Sequence, residues 1–208
     1  METTSFHQVL LKYWTPPQLA LIEKATIAIA GAGGLGSNCA QLLVRSGFCR
    51  FTIVDFDVVE PSNLNRQFFF ASQIGMAKVS ALAENLKSIN PDVRIDARQN
   101  KLEPATISAI FADCNIIIEA FDRPEYKKML VETFLPTGKL IIAASGLAGW
   151  GDSDRIRVHK IKENFYLVGD LETGISKQAP LAPCVQIAAA KQADIVLEYI
   201  LGAMKGAN

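Results

Sequence analysis

The sequence predicts an α/β protein built on a doubly wound, mostly parallel sheet that is extended by antiparallel strands toward the C-terminus. Three observations carry this prediction. Short apolar runs rich in β-branched residues alternate with helix-length segments along most of the chain. The first of these runs leads straight into a glycine-rich turn. After Gly151 the apolar runs give way to an apolar-charged alternation, the pattern of a strand with one face in water.

Taken in order, Gln8 to Lys24 reads as one or two helices interrupted at Pro16-Pro17, so residues 1–24 form a helical N-terminal segment. Ala25 to Ala30 (ATIAIA), Arg50 to Asp55 (RFTIVD), Val93 to Ala97, Asn115 to Glu119 (NIIIE) and Lys139 to Ala144 (KLIIAA) have the continuous apolar character of strands buried on both faces. Gly36 to Ser46, Lys78 to Ile89, Pro104 to Phe111 and Pro124 to Phe134 are long enough to serve as crossover helices between parallel strands. Beyond Gly151, in DRIRVHKIK from Asp154 to Lys162, Ile156, Val158 and Lys160 alternate with Arg155, Arg157 and His159. This predicts a half-exposed antiparallel strand whose Arg155, Arg157 and His159 face is solvated or meets an acidic partner, with Phe165 to Val168 as hairpin partner. Asp170 to Pro183 is the longest expected loop, and Pro183 opens a final helix over Cys184 to Leu201.

Composition bounds the function. With 208 residues, 50% hydrophobic and 20% charged, the chain has the material for one packed domain over 1–208 and not for a disordered one. Lys plus Arg and Asp plus Glu are both 21, so net charge supplies no pull toward nucleic acid or an anionic membrane, and any anion site must be local. Met1 to Trp14 lacks the basic start and apolar run of a secretory signal, and no apolar stretch reaches the roughly 18 residues of a membrane span. Cys39, Cys49, Cys114 and Cys184 contain no C-x-x-C pair, so no structural zinc is expected. The expectation is a cytoplasmic protein with free thiols, Cys39 and Cys114 serving as core residues. His7 and His159 have no acid or cysteine nearby in sequence and read as satisfied or surface histidines.

The chemistry gathers at expected strand ends. Gly31-Ala32-Gly33-Gly34-Leu35-Gly36 has the G-x-G-x-x-G spacing between a strand and a helix, the context in which glycines let backbone N–H groups approach a phosphate. Asp55 closes the second strand 19 residues after Gly36, where a carboxylate can accept from both ribose hydroxyls. The fold is therefore Rossmann-like. Asp57 to Gln67 (DVVEPSNLNRQ) then adds amides and a permanent cation, and Lys78 opens the next helix. A dinucleotide is held by backbone and has little need of Arg66 and Lys78, whereas a triphosphate does. The two cations can neutralise phosphate charge and stabilise departing pyrophosphate, with Asn63 and Gln67 adding directional hydrogen bonds. Asp122, at the end of the fourth strand, is placed either to hold Mg²⁺ on a triphosphate or to cap the helix that starts at Pro124.

Assembled, these residues resemble the ThiF/MoeB/HesA family, the ubiquitin-activating-enzyme-like adenylyltransferases. The resemblance runs from Gly31 to Asp122 and is most specific in IVDFDVVEPSNLNRQ, Ile53 to Gln67, and GMAK, Gly75 to Lys78. Length and cysteine content look most like the short ThiF-type proteins of thiamine biosynthesis. The resemblance implies that ATP and Mg²⁺ activate the C-terminal glycine carboxylate of a small ubiquitin-like sulfur carrier, ThiS-like and ending in Gly-Gly, and that the protein is a homodimer. It implies that Gly31, Gly33, Gly34 and Gly36 bind nucleotide and Asp55 holds ribose, with Asp57 a second magnesium or ribose contact. Asn63, Arg66, Gln67 and Lys78 handle phosphates, with Arg66, Lys78 and Asp122 catalytic and Asp122 the metal ligand.

The chain departs from the family in several places. No arginine precedes Arg45, so Lys12 or Lys24 substitutes for an N-terminal arginine supplied to the partner's ATP, or that contribution is absent. Arg123 stands where an asparagine usually follows the magnesium aspartate. The loop Asp170 to Pro183 has no cysteine, and Cys184, just beyond it, is either a buried structural thiol or a reactive one at a helix start. The carrier tail is expected under that loop, along the small residues Ser145 to Gly149. Three other readings share part of this pattern: a tRNA-modifying ATP-dependent dehydratase of the same family, an NAD-dependent oxidoreductase, and a non-catalytic carrier-binding module.

Overall fold

The computed structural model describes residues 5–174 and 178–205. Two helices come first, α1 (Phe6–Leu10) and α2 (Pro16–Lys24). The prolines open α2 instead of interrupting a longer helix: they occupy its first turn, where a missing N–H costs nothing, and the break lies in the residues before them.

The sheet has seven strands: β1 (Ile27–Ala30), β2 (Arg50–Val54), β3 (Arg94–Arg98), β4 (Ile116–Glu119), β5 (Leu140–Ala144), β6 (Arg157–Lys162) and β7 (Phe165–Gly169). Their order across the sheet is β3-β2-β1-β4-β5-β7-β6, all neighbours being parallel except the β6–β7 hairpin. This is the expected architecture. Helices α3 (Gly34–Ser46), α4 (Lys78–Ile89), α5 (Ile107–Ile110), α6 (Pro124–Phe134) and α7 (Ala182–Lys205) cover the two faces. Strand alternation divides the core into two layers. Ile27, Ile29, Ile116, Ile118 and Ile142 pack with Leu43, Ala188 and Val196 of α3 and α7, while Ala28, Ala30, Ile117 and Ile141 pack with Ile107, Leu130 and Phe134 of α5 and α6.

Four expectations need correction. β3 is an edge strand with largely exposed residues, because neighbours cover it on one side only. The helix expected over Pro104 to Phe111 shrinks to the single turn α5. At the other edge, β6 is exposed on both faces, not half-buried. Arg155 lies before β6 in a 3-10 turn, Ser153–Arg155, and its side chain turns inward instead of sharing a solvated face with Arg157. The outcome for function is positional: the chain winds from β1 toward β3 on one side and from β4 toward β5 on the other, which leaves a crevice at the carboxyl ends of β1 and β4.

Candidate active site

A cleft of about 1140 Å³ opens at that crevice. Its first wall is the turn between β1 and α3. Gly31 takes φ +103°, a left-handed value, and a Cβ there would come within 2.8 Å of the Ala120 carbonyl oxygen. A Cβ at Gly36 would collide with the Gly31 carbonyl oxygen, so this glycine serves the tight turn. Gly31, Gly33 and Gly34 line the cleft and Gly36 does not, which corrects its expected role as a ligand contact. No side chain caps α3, so its first N–H groups are left for an anion.

Asp55 follows β2 and braces the turn. Its Oδ2 accepts from the Ala32 N–H at 2.7 Å and its Oδ1 from the Asp57 N–H at 2.8 Å. Burial pushes its pKa up, against the opposing pull of those two hydrogen bonds and of Lys78.

The two motif segments meet because their backbones are bonded. The Val59 N–H donates to the Met76 carbonyl and the Gly75 N–H to the Val59 carbonyl, each at 2.8 Å. This juxtaposition buries Lys78, 7% exposed, with its Nζ donating to Asp57 Oδ2 at 2.8 Å. Lys78 is thus a buried residue at the start of α4, with Asp57 as its ion-pair partner. Arg66 is fixed at its backbone by Asn38, whose Nδ2 donates to the Gly34 carbonyl at 2.7 Å and the Arg66 carbonyl at 2.8 Å. Its guanidinium donates to the Ser62 carbonyl and to Asn65 Oδ1. Asn63 is buried and turns its Oδ1 to the Glu60 N–H at 3.0 Å. Gln67 is buried beside Gly33, and its Oε1 has no hydrogen-bond partner among the described residues. A buried acceptor of this kind costs on the order of 1–3 kcal/mol, and a ligand donor would relieve it.

The opposite wall follows β4. Asp122 is exposed on the cleft, and the helix cap at α6 is Arg123, so the capping alternative for Asp122 is not realised. Just before it, Glu119 is fully buried and paired with Lys127, whose Nζ donates to its two oxygens at 3.0 and 2.9 Å and to the Ala144 carbonyl at 3.0 Å. Sequence reasoning missed this pair, although a lone acid in an otherwise apolar strand was the available signal. It also missed Asn38, and Lys101, whose ammonium lies 5.9 Å from the centre of the Tyr126 ring at the β3 end of the cleft.

Ser145 to Ala148, Thr173, Gly174 and Pro180 complete the cleft beyond β5 and β7, where the tail groove was expected. Cys184 is buried in the first turn of α7 and does not line the cleft. Lys12 and Lys24 are exposed and do not line it either. His7 pairs with Glu23 at 2.6 Å, an acid 16 residues away in sequence. Among the described residues no group of three acids, histidines or cysteines could hold a metal by itself, and no helix is long and apolar enough to cross a membrane.

A glycine turn at the switch point, an acid at the end of β2 and cations delivered by the segments that follow line the crevice of this Rossmann-like α/β protein. The chain belongs to the ThiF family, whose family model matches residues 7–208. It is 30% identical over 198 residues to the adenylyltransferase and sulfurtransferase UBA4 of Candida glabrata, an alignment covering 90% of this chain and 45% of that protein. It is 47% identical over 76 residues to ubiquitin-like modifier-activating enzyme 5 of Bombyx mori, covering 36% of this chain and 19% of that protein. The chain thus spans less than half of these relatives. E. coli tRNA N6-threonylcarbamoyladenosine dehydratase, TcdA, in complex with ATP superposes with a TM-score of 0.85 at 20% identity, over 96% of this chain and 95% of that one, a likeness of fold.

Proposed function

We propose that the protein is an ATP-dependent adenylyltransferase that activates the C-terminal carboxylate of a small ubiquitin-like carrier protein. The observation that carries the reading is the convergence of Asp55, Asn63, Arg66, Gln67, Lys78 and Asp122 on one cleft with the glycine turn. The carboxylate oxygen bonds to the α-phosphorus of ATP, the bond from that phosphorus to the oxygen bridging to the β-phosphorus breaks, and pyrophosphate leaves with the electron pair. A carboxylate is already ionised at neutral pH, so no general base is required. Positioning and charge stabilisation then suffice: the α3 N-terminus, Arg66 and Lys78 for the phosphates, Asp55 for the ribose.

Magnesium fits this donor set as a passenger on the nucleotide. Mg²⁺ is commonly held by one or two carboxylates together with phosphate oxygens and water, and Asp122 supplies such a carboxylate. When bound it would neutralise phosphate charge.

The names of the relatives, adenylyltransferase and sulfurtransferase and ubiquitin-like modifier-activating enzyme, support a ubiquitin-like partner in general. A ThiS-like carrier and a thiamine pathway are the narrower form of the proposal, and homodimer formation is part of it. ATP–pyrophosphate exchange with candidate Gly-Gly carriers tests the reading. Exchange should depend on the carrier and fall by roughly 10²–10³-fold in Arg66→Ala and in Asp122→Ala, the size typical of losing one transition-state charge contact. Exchange that persists in both variants would reject this site. A tRNA arm separates the dehydratase reading, in which adenylation is driven by RNA, and sedimentation checks the dimer.

A further inference from the structure

Beyond β5 and β7 the cleft is built from two loops and the start of α7, and one half-buried cation touches all three. The Arg155 side chain is 19% exposed and its partner Asp170 is 11% exposed. Arg155 Nη1 donates to Asp170 Oδ2, and Nη2 donates to the Ala148 carbonyl at 2.6 Å and lies 3.7 Å from Cys184 Sγ. Asp170 in turn organises its own loop, accepting from the Glu172 N–H at 2.9 Å, the Thr173 N–H at 2.8 Å and the Thr173 hydroxyl at 2.5 Å. The loops also run bonded side by side: the Asp170 N–H donates to the Gly146 carbonyl at 2.8 Å and the Leu171 N–H to the Ser145 carbonyl at 3.2 Å. Arg155 does not line the cleft, whereas Ser145 to Ala148, Thr173 and Gly174 do.

The two ends of the cleft differ in chemistry. The nucleotide end, at β1 and β2, carries Asp55, Arg66 and Lys78. The end at β5 and β7 is walled by uncharged residues, among them the small Ser145, Gly146, Ala148, Thr173 and Gly174 and the larger Leu147. That end suits an extended acceptor chain of small residues approaching the α-phosphate, and its width is set by how closely the 170–174 loop is held to the 145–148 loop. We propose that Arg155 is a positioning residue for the acceptor half of the cleft. By joining Asp170 to the Ala148 carbonyl it fixes the spacing of the two loops and so governs acceptor affinity without touching either substrate. The inference rests on the adenylyltransferase reading for the identity of the acceptor, but the clamp itself does not.

The test uses the full chain with Arg155→Met, Asp170→Asn, the double variant, and Arg155→Lys. Amide hydrogen exchange at Glu172 and Thr173 should accelerate at least tenfold in Arg155→Met, with the amides of Gly33 to Gly36 unchanged. Carrier KM in pyrophosphate exchange should rise at least tenfold, with kcat changed less than threefold and ATP affinity within twofold of the parent. Asp170→Asn should give the same pattern, and the double variant should be no worse than either single one, because both remove one link. Arg155→Lys, which keeps a cation, should restore part of the carrier KM and serves as the readout if the methionine variant does not fold.

Loss of loop protection with an unchanged carrier KM would overturn the positioning role. An equal loss of ATP affinity would overturn its confinement to the acceptor half. A parent protein that shows no exchange with any acceptor sinks the adenylyltransferase reading instead, and unchanged amide protection in Arg155→Met would then still overturn the clamp.

Discussion

Lys127→Met should destabilise the fold more than Glu119→Gln, although the two residues form one ion pair. The asymmetry follows from burial. The Glu119 side chain is 0% exposed and that of Lys127 is 27% exposed. Removing the lysine strands a carboxylate with only backbone donors, the Phe121 N–H at 2.7 Å and the Ala144 N–H, whereas neutralising the acid leaves an ammonium that water can reach and that keeps the Ala144 carbonyl. Removing one partner of a buried pair costs about 3–5 kcal/mol. The partial exposure of Lys127 argues for the lower end, about 3 kcal/mol, against about 1–2 kcal/mol for Glu119→Gln. At about 2–4 °C per kcal/mol for a chain of this size, Lys127→Met should melt roughly 6–12 °C lower. The loss should also depend on pH. Burial pushes the Glu119 pKa up, opposed by Lys127 and the Phe121 N–H, and without Lys127 it rises further. Between the unfolded pKa, about 4.3, and the higher folded value, the folded state binds more protons, so stability falls as pH rises through that window. The deficit of Lys127→Met relative to the parent should therefore grow as pH rises above the unfolded value of about 4.3, in urea unfolding followed by tryptophan fluorescence. A pH-independent deficit, or Glu119→Gln costing as much as Lys127→Met, would refute the assignment of Glu119 as the stranded partner.

Gln67→Leu removes the unpartnered buried Oε1 and should raise ligand-free stability by about 1 kcal/mol while shrinking the melting shift produced by ATP; an undiminished ATP shift would mean that Gln67 makes no ligand contact. Gly36→Ala and Gly33→Ala should separate folding from binding, as circular dichroism and ATP titration of the two variants would show. The first forces a Cβ into the Gly31 carbonyl oxygen and against Ile29 Cγ2 at 2.9 Å, and should give little folded protein. The second meets nothing closer than Gln67 Nε2 at 3.9 Å, and should fold but lose ATP affinity. Asp170 is pushed up by burial, but hydrogen bonds from Thr173, Glu172 and Arg155 outweigh this and hold its pKa at about 2. Its stabilisation is present above the ordinary unfolded value of about 3.9 and is lost only as pH falls through the folded value, so Thr173 amide protection, corrected for intrinsic exchange, should persist down to about pH 4.

The central strands were legible because burial on both faces leaves a continuous apolar run, as in Ile116 to Ile118. β3 and β6 were not, because an edge strand's exposure is decided by missing neighbours, which no local pattern records. The convergence of the motif residues on one end of the cleft was legible for a related reason. The glycine turn, Asp55 and the Asn63 to Gln67 segment occupy contiguous motifs whose spacing reflects local geometry. The ion pairs were hidden: Glu119 and Lys127 are 8 residues apart, on a strand and the helix after it, and Arg155 and Asp170 are 15 apart, at the two ends of the β6–β7 hairpin. Arg155 was misread as part of a solvated face because its neighbours alternate as a strand would. Nothing in that alternation reports that the chain enters β6 after Ile156 and turns the preceding side chain inward.

The same accounting of partners ranks the two motif cations. Lys78 already faces Asp57 at 2.8 Å, so a phosphate must share its charge with a resident carboxylate. Arg66 has only neutral acceptors, the Ser62 carbonyl and Asn65 Oδ1, and no acid pairs with it among the described residues. An anion entering the cleft therefore gains an undivided positive charge from Arg66 and a partly cancelled one from Lys78. Removing Lys78 also frees Asp57, which is 47% exposed and is readily solvated, so little further penalty follows. Hydrogen bonds to a charged group contribute about 1.5–3 kcal/mol. Arg66→Ala should accordingly weaken ATP by about tenfold or more, and by more than Lys78→Ala does. Equilibrium titration of ATP and of AMP with both variants checks the order, since AMP lacks the outer phosphates and should lose less than ATP in each. A larger ATP loss for Lys78→Ala than for Arg66→Ala would mean that the Asp57 pair breaks on binding and releases Lys78 entirely to the nucleotide.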